Sequence, residues 1–185
     1  MTQPEDERSL VESARTGDPE AIGLIYERYF ERIYRYVYLR VSDTTDAEDI
    51  TEQVFLKMLE AISNFRWQGS SFASWLFRIA HNLTVDYVRQ HSRRPQVPLE
   101  PIGDLLPSTG PDPHEFAENR DIGNHIKECI SELTDLQAQV INLKFSSGLS
   151  NAEVAAIMNR TEGAIKALQY SALQNLHKLM VIKGY

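Results

Sequence analysis

Apolar residues recur along this chain at spacings of three and four, while the alternation of a half-buried strand is almost absent. That pattern predicts an all-α protein. Ser9 to Thr16 reads as a short helix closed by Gly17. Asp18-Pro19-Glu20 then supplies an N-cap, a proline at the first helical position and an acid in the first turn. Ile22, Ile25, Tyr26, Tyr29, Phe30, Ile33 and Val37 mark the buried stripe of a helix running to about Val41. Tyr34, Tyr36 and Tyr38 widen the stripe, which fits core packing with polar tips at the rim. Thr45-Asp46-Ala47-Glu48 has the form of a capping box, with Thr45 as the cap. The helix it opens turns Ile50, Val54, Phe55, Met58, Leu59 and Ile62 inward and ends near Asn64. From Ala73 to His91 a further helix buries Phe72, Trp75, Leu76, Ile79, Ala80, Leu83 and Tyr87, leaving Arg78, Asn82, Asp86 and Arg89 outside.

Prolines at 95, 98, 101, 107, 111 and 113, with Gly103 and Gly110, forbid a long helix from Arg94 to about Pro113. The acids in that stretch favour an extended linker. We therefore expect two small helical domains, 1–93 and 115–185, joined by a Pro-rich acidic linker at 94–114. Helices resume near Glu115, with Ile122, Ile126, Cys129, Ile130 and Leu133 on one stripe. Thr134-Asp135 caps a second helix bearing Leu136, Val140, Ile141 and Leu143, which stops at Gly148. Ser150-Asn151-Ala152-Glu153 is another capping box and opens a short helix carrying Val154, Ala155 and Ile157. Asn159 suits a left-handed turn, Thr161 caps the next helix, and Glu162 to about Met180 completes a helix-turn-helix plan. Its second helix presents Glu162, Lys166, Gln169 and Tyr170 away from Ile165, Leu168 and Leu173.

Composition changes the picture in one respect. The formal net charge is −7, which argues against a nucleic-acid binder until its distribution is followed. Residues 1–60 hold fourteen acids against seven bases, and 95–135 nine against two. Residues 61–94 reverse this with five bases to one acid, as do 160–185 with four to one. Two basic patches between acidic segments predict contact with nucleic acid at two places and with another kind of surface elsewhere. Unaided affinity for DNA should be weak, because few phosphates can be neutralised. Both tryptophans, Trp67 and Trp75, fall in the first basic patch. Phe65 and Trp67 sit on a Gly/Ser loop with no apolar periodicity to bury them, an arrangement suited to unstacked bases. Acids near Asp46 favour the helix dipole, but Glu52 lies beyond the first turn, which points to a basic protein partner. Cys129 is the one cysteine, so a reducing cytoplasm is the expected home. The acidic N-terminus reads as no targeting segment, no apolar run reaches membrane-spanning length, and the five histidines lack metal-ligand spacing.

Asp46 to Phe55, Phe72 to Asn82 and Asp86-Tyr87-Val88-Arg89 together resemble region 2 of extracytoplasmic-function sigma factors. Gly148 to Ala155 with Glu162 to Leu168 resembles region 4 of the same family, and the two follow in the family's order. The resemblance implies a bacterial transcription initiation factor that binds core RNA polymerase and promoter DNA without a cofactor. It implies that Asp46, Glu48, Asp49, Glu52 and Gln53 dock on the polymerase. It implies that the −10 strand is captured and melted by Phe65, Trp67, Ser71, Arg78, Asn82, Arg89, Arg93 and Arg94. The −35 box would fall to Arg160, Thr161, Glu162, Lys166, Gln169 and Tyr170. An anti-sigma factor is a further partner the family suggests. Asn159 stands where a glycine is usual in the turn, and Ala167-Leu168 where many members have Ser-Arg.

Two other classes compete. A one-component regulator would bind palindromic operators as a dimer through the helix-turn-helix and need no polymerase. An enzyme would need a nucleophile–base pair, a phosphate-cradling glycine loop or a metal cluster, and none is legible.

Overall fold

The computed structural model describes residues 4–67, 71–91, 125–126 and 128–184. Among them every regular element is helical, and the chain divides into two compact units, Met1–Arg94 and Pro95–Tyr185. The linker, the helix onset near Glu115, Ile122, Arg93 and Arg94 lie outside the described residues.

In the first unit α1 spans Pro4–Arg15, starting earlier than the apolar pattern suggested because its first turn is polar. Gly17, at φ +88°, turns the chain into Asp18, whose carboxylate accepts the Glu20 N–H at 3.0 Å. With Pro19 at its first position, α2 then runs Pro19–Val41. Ser42 ends it in the left-handed conformation, φ 62°, donating its N–H to the Tyr38 carbonyl at 2.9 Å. Only Ser42 and Asp43 separate α2 from α3, Thr44–Ala61. The cap of α3 is Asp43, not Thr45: the Asp43 carboxylate accepts the Asp46 N–H at 2.9 Å, and Thr45 lies inside the helix. The tight joint leaves the chain extended at Asp43, the backbone geometry a cap requires. A 3₁₀ turn, Ile62–Asn64, follows α3, and α4 spans Phe72–His91. The Ser74 N–H donates to Ser71 Oγ at 3.1 Å at the entrance to α4.

Helices α2, α3 and α4 pack on one another, and α1 lies against α2 and the 3₁₀ turn. Ile25, Tyr29, Ile33, Tyr36 and Val37 of α2 meet Val54 and Met58 of α3 and Phe72, Leu76 and Phe77 of α4 in a core closed to solvent. Burial of each such large side chain contributes about 1.5–3 kcal/mol. Tyr26 and Leu59, expected inward, are 42% and 44% exposed. The buried face of α4 is also rotated from the apolar stripe, taking in Ser74, Phe77, His81 and Thr84. His81 and Thr84 are admitted because they are bonded. Thr84 Oγ1 donates to the Ala80 carbonyl at 2.8 Å, and Tyr36 Oη lies 3.0 Å from His81 Nδ1.

In the second unit residues 128–131 are helical, α5 spans Asp135–Ile141, and a π-helical turn covers Asn142–Ser146. Ile130, Leu133, Ala138, Ile141 and Ala172 form one cluster of the core, with Leu176 and Leu179 packed on it. Lys183 ties the far end to Glu132 at 2.7 Å and Glu128 at 3.4 Å. Helix α6, Asn151–Met158, carries the full capping box: Ser150 N–H donates to Glu153 Oε2 at 2.8 Å and Glu153 N–H to Ser150 Oγ at 3.3 Å. Asn159 takes φ 53° and ψ 51°, and the Arg160 N–H donates to the Ala155 carbonyl at 2.9 Å. Thr161 Oγ1 accepts the Ala164 N–H at 3.2 Å and starts α7, Glu162–Ile182. The expected helix-turn-helix is therefore present.

Candidate nucleic-acid interface

Three surfaces carry the chemistry. On α3, Glu48, Asp49, Glu52 and Gln53 are all exposed. Leu56 and Leu59 continue that exposed side, at 59% and 44%. Asp46 differs: half-buried, it accepts a hydrogen bond from the Tyr87 hydroxyl of α4. Near Glu48 the Tyr34 phenol is pushed up, first by burial and then by the Glu48 charge.

The second surface begins at the aromatic loop, where the structure corrects one expectation. Phe65 is 4% exposed, its ring set edge-on to Trp67 at 5.0 Å and Phe72 at 5.5 Å, and 5.1 Å from Trp75. A loop residue has no helical period to announce its burial, yet Phe72 and Trp75 on α4 bring the core up to meet it. The ring is thus part of the core, which the sequence pattern gave no reason to expect. Trp67 lies at the edge of the same cluster, half-buried, with its indole Nε1 donating to Glu12 Oε1 at 2.9 Å. Along α4, Arg78, Asn82 and Arg89 are exposed on one side, and Arg89 pairs with Asp86 at 3.1 Å. Ser71 is half-buried at the start of that helix.

The third surface is the outer side of α7. Arg160, Thr161, Glu162 and Lys166 are exposed, Gln169 is half-buried and Tyr170 is 67% exposed. Lys166 pairs with Glu162 at 2.9 Å, which holds its ammonium along the helix axis. Gln174 donates to the Tyr170 hydroxyl at 2.8 Å. Thr161, which gives its hydroxyl to the cap, keeps the first turn of α7 fixed at the end nearest these groups.

Comparison with known proteins decides what these surfaces belong to. The family model for Sigma-70 region 2 matches residues 25–94, and that for Sigma-70, region 4 matches residues 124–176. The chain belongs to the extracytoplasmic-function (ECF) sigma factors. Among its ECF relatives, the ECF RNA polymerase sigma factor BldN of Streptomyces coelicolor is 35% identical over 173 residues. That match takes in 92% of this chain, which spans 64% of the length of BldN. The ECF RNA polymerase sigma factor SigW of Bacillus subtilis is 27% identical, covering 92% of this chain and 95% of SigW. Among solved structures, CnrH in complex with the cytosolic domain of CnrY matches with a TM-score of 0.73 and 22% identity, over 95% of this chain and 97% of CnrH. The sigma factor RpoE of Bartonella quintana, in complex with the anti-sigma factor NepR, matches at 0.67 and 21%, over 86% and 96%. At those identities the two structures speak for the fold alone. Sequence reasoning missed Glu12, a residue of α1 that carries no motif and is found only by its contact with Trp67.

Proposed function

We propose that this chain, an ECF sigma factor, binds core RNA polymerase in the cytoplasm and directs promoter recognition, strand melting and initiation without catalysing a reaction itself. The observation that carries the reading is the presence of both sigma regions, in order, in one chain. Domain limits of 1–93, 94–114 and 115–185 are part of this proposal.

The exposed side of α3 suits the polymerase, because acids there stand beside the exposed leucines Leu56 and Leu59. A mixed acidic and apolar face is what a protein partner with a basic rim would cover, and it repels phosphate. Glu48, Asp49, Glu52 and Gln53 are its contacts. Trp67 offers a ring to one unpaired base of the −10 strand, Asn82 reads an edge, and Arg78 and Arg89 neutralise phosphates. On α7, Lys166 and Gln169 reach the major groove of the −35 box, while Arg160 and Thr161 hold the backbone at the helix start. An anti-sigma protein is a further partner on this reading, as RpoE has in the anti-sigma factor NepR.

Run-off transcription with core polymerase tests the whole reading. Specific transcripts that require the chain are expected, with weak binding to duplex DNA by the chain alone. Tight two-fold binding to a palindrome without polymerase would refute it. Glu52→Lys should weaken polymerase association and leave the helical circular dichroism unchanged.

A further inference from the structure

Helix α1 lies outside the matched regions, and nothing in the proposed roles uses it. It is nevertheless anchored. Val11 and Ala14 are buried, and Glu7 accepts a hydrogen bond from the Tyr29 hydroxyl of α2. On the side toward the aromatic loop, Glu12 Oε1 accepts the Trp67 indole N–H at 2.9 Å across 55 residues of chain. The Arg8 guanidinium stands 5.7 Å from the centre of the Trp67 ring, and Arg15 pairs with the other oxygen of Glu12. Phe65, itself buried, meets the Trp67 ring with centroids 5.0 Å apart at an interplanar angle of 77°.

Trp67 is therefore fixed by one hydrogen bond at its polar edge, one aromatic contact and one cation. A free indole beside a Gly/Ser stretch would sample many orientations, and stacking would have to order it. A braced ring presents one orientation before any base arrives. We propose that α1 sets the posture of Trp67 for strand capture, with Glu12 as the positioning residue. The inference rests on the reading of Trp67 as a base platform. Glu12 need not touch DNA. The carboxylate directs the indole, and Arg15 keeps the carboxylate in place. Arg8 adds a positive charge above the ring, where the phosphate of a stacked nucleotide would be drawn.

The test uses full-length chain in holoenzyme, with promoter melting read by a fluorescent base analogue in the −10 strand and polymerase affinity read separately. Glu12→Ala should slow melting by about three- to tenfold, the range for losing one charge-assisted hydrogen bond at a half-exposed site. Polymerase affinity should stay within about twofold, since α3 is untouched. Glu12→Gln should restore melting, because the amide oxygen still accepts the indole N–H. The Trp67 Nε1–H resonance should move in the alanine variant and stay in the glutamine one. Combined with Trp67→Ala, Glu12→Ala should add no further loss.

Wild-type melting in Glu12→Ala, beside a defective Trp67→Ala, would overturn the positioning role and leave the platform reading intact. Full additivity of the two changes would do the same. Wild-type melting in Trp67→Ala would remove the platform reading itself, and the positioning role with it.

Discussion

Phe65→Ala separates a core ring from a DNA-facing one. Phe65 is 4% exposed and meets three other aromatic rings with centroids 5.0 to 5.5 Å away. Truncating a buried phenylalanine costs about 3–5 kcal/mol, and each edge-to-face pair contributes about 0.5–1.5 kcal/mol beyond area. The three neighbours share one cavity, so these terms overlap and the loss belongs near the upper end of that range. A unit of this size holds on the order of 5–15 kcal/mol in total. At about 4–8 °C per kcal/mol, its melting midpoint should fall by at least roughly 12 °C. Tryptophan fluorescence isolates the transition, because Trp67 and Trp75 both lie in the first unit. Urea melts should show a lower midpoint at unchanged slope. If Phe65→Ala melts within about 3 °C of wild type yet loses promoter opening, the ring faces a base and the burial argument is wrong.

Asn159→Gly should hold or raise the stability of the second unit, whereas Asn159→Val should cost about 1–2 kcal/mol, because φ 53° is left-handed; thermal unfolding by circular dichroism checks both. Lys166→Ala should lower the salt-dependence slope of −35 duplex binding by about one. Its pair with Glu162 is 63% and 49% exposed, so the melting temperature should barely change. The Glu12 carboxyl is held below its usual 4.5 by the Trp67 indole bond first; burial, next in size, opposes it, and Arg15 and then Arg8 add to the lowering. A lowered folded pKa means the contact stabilises at pH above the unfolded value and is lost as pH falls through the folded one. The Trp67 Nε1–H resonance should therefore titrate with a midpoint below 4.5.

Much of the fold was legible because its signals are local. Asp18-Pro19, Ser150 with Glu153, Asn159 and Thr161 each dictate a helix end through groups within a few residues, and each does so in the structure. The cap of α3 was misplaced because Thr45 with Glu48 and Asp43 with Asp46 make the same pattern two residues apart. Which one wins depends on how soon α2 ends, and that is set by the left-handed Ser42. The rotation of α4 was hidden for another reason. His81 and Thr84 count as polar along the chain, but Tyr36 of α2 partners His81 and the Ala80 carbonyl one turn back takes the Thr84 hydroxyl, so both sink. The candidate surfaces were legible wherever exposure follows from helical period, as for Glu52, Asn82 and Lys166. They were illegible at Phe65 and Glu12, where the deciding contact spans loop and core or 55 residues of sequence.

The bond between the Tyr87 hydroxyl and Asp46 has a consequence for anyone dissecting this molecule by mutation. It ties the last turns of α4 to the first turn of α3, so one carboxylate serves two faces that would otherwise be studied apart. On the proposed roles, a change at Asp46 would disturb the polymerase-facing helix α3 and the nucleic-acid side of α4 together. Glu52 and Gln53, both exposed, give the cleaner measurement.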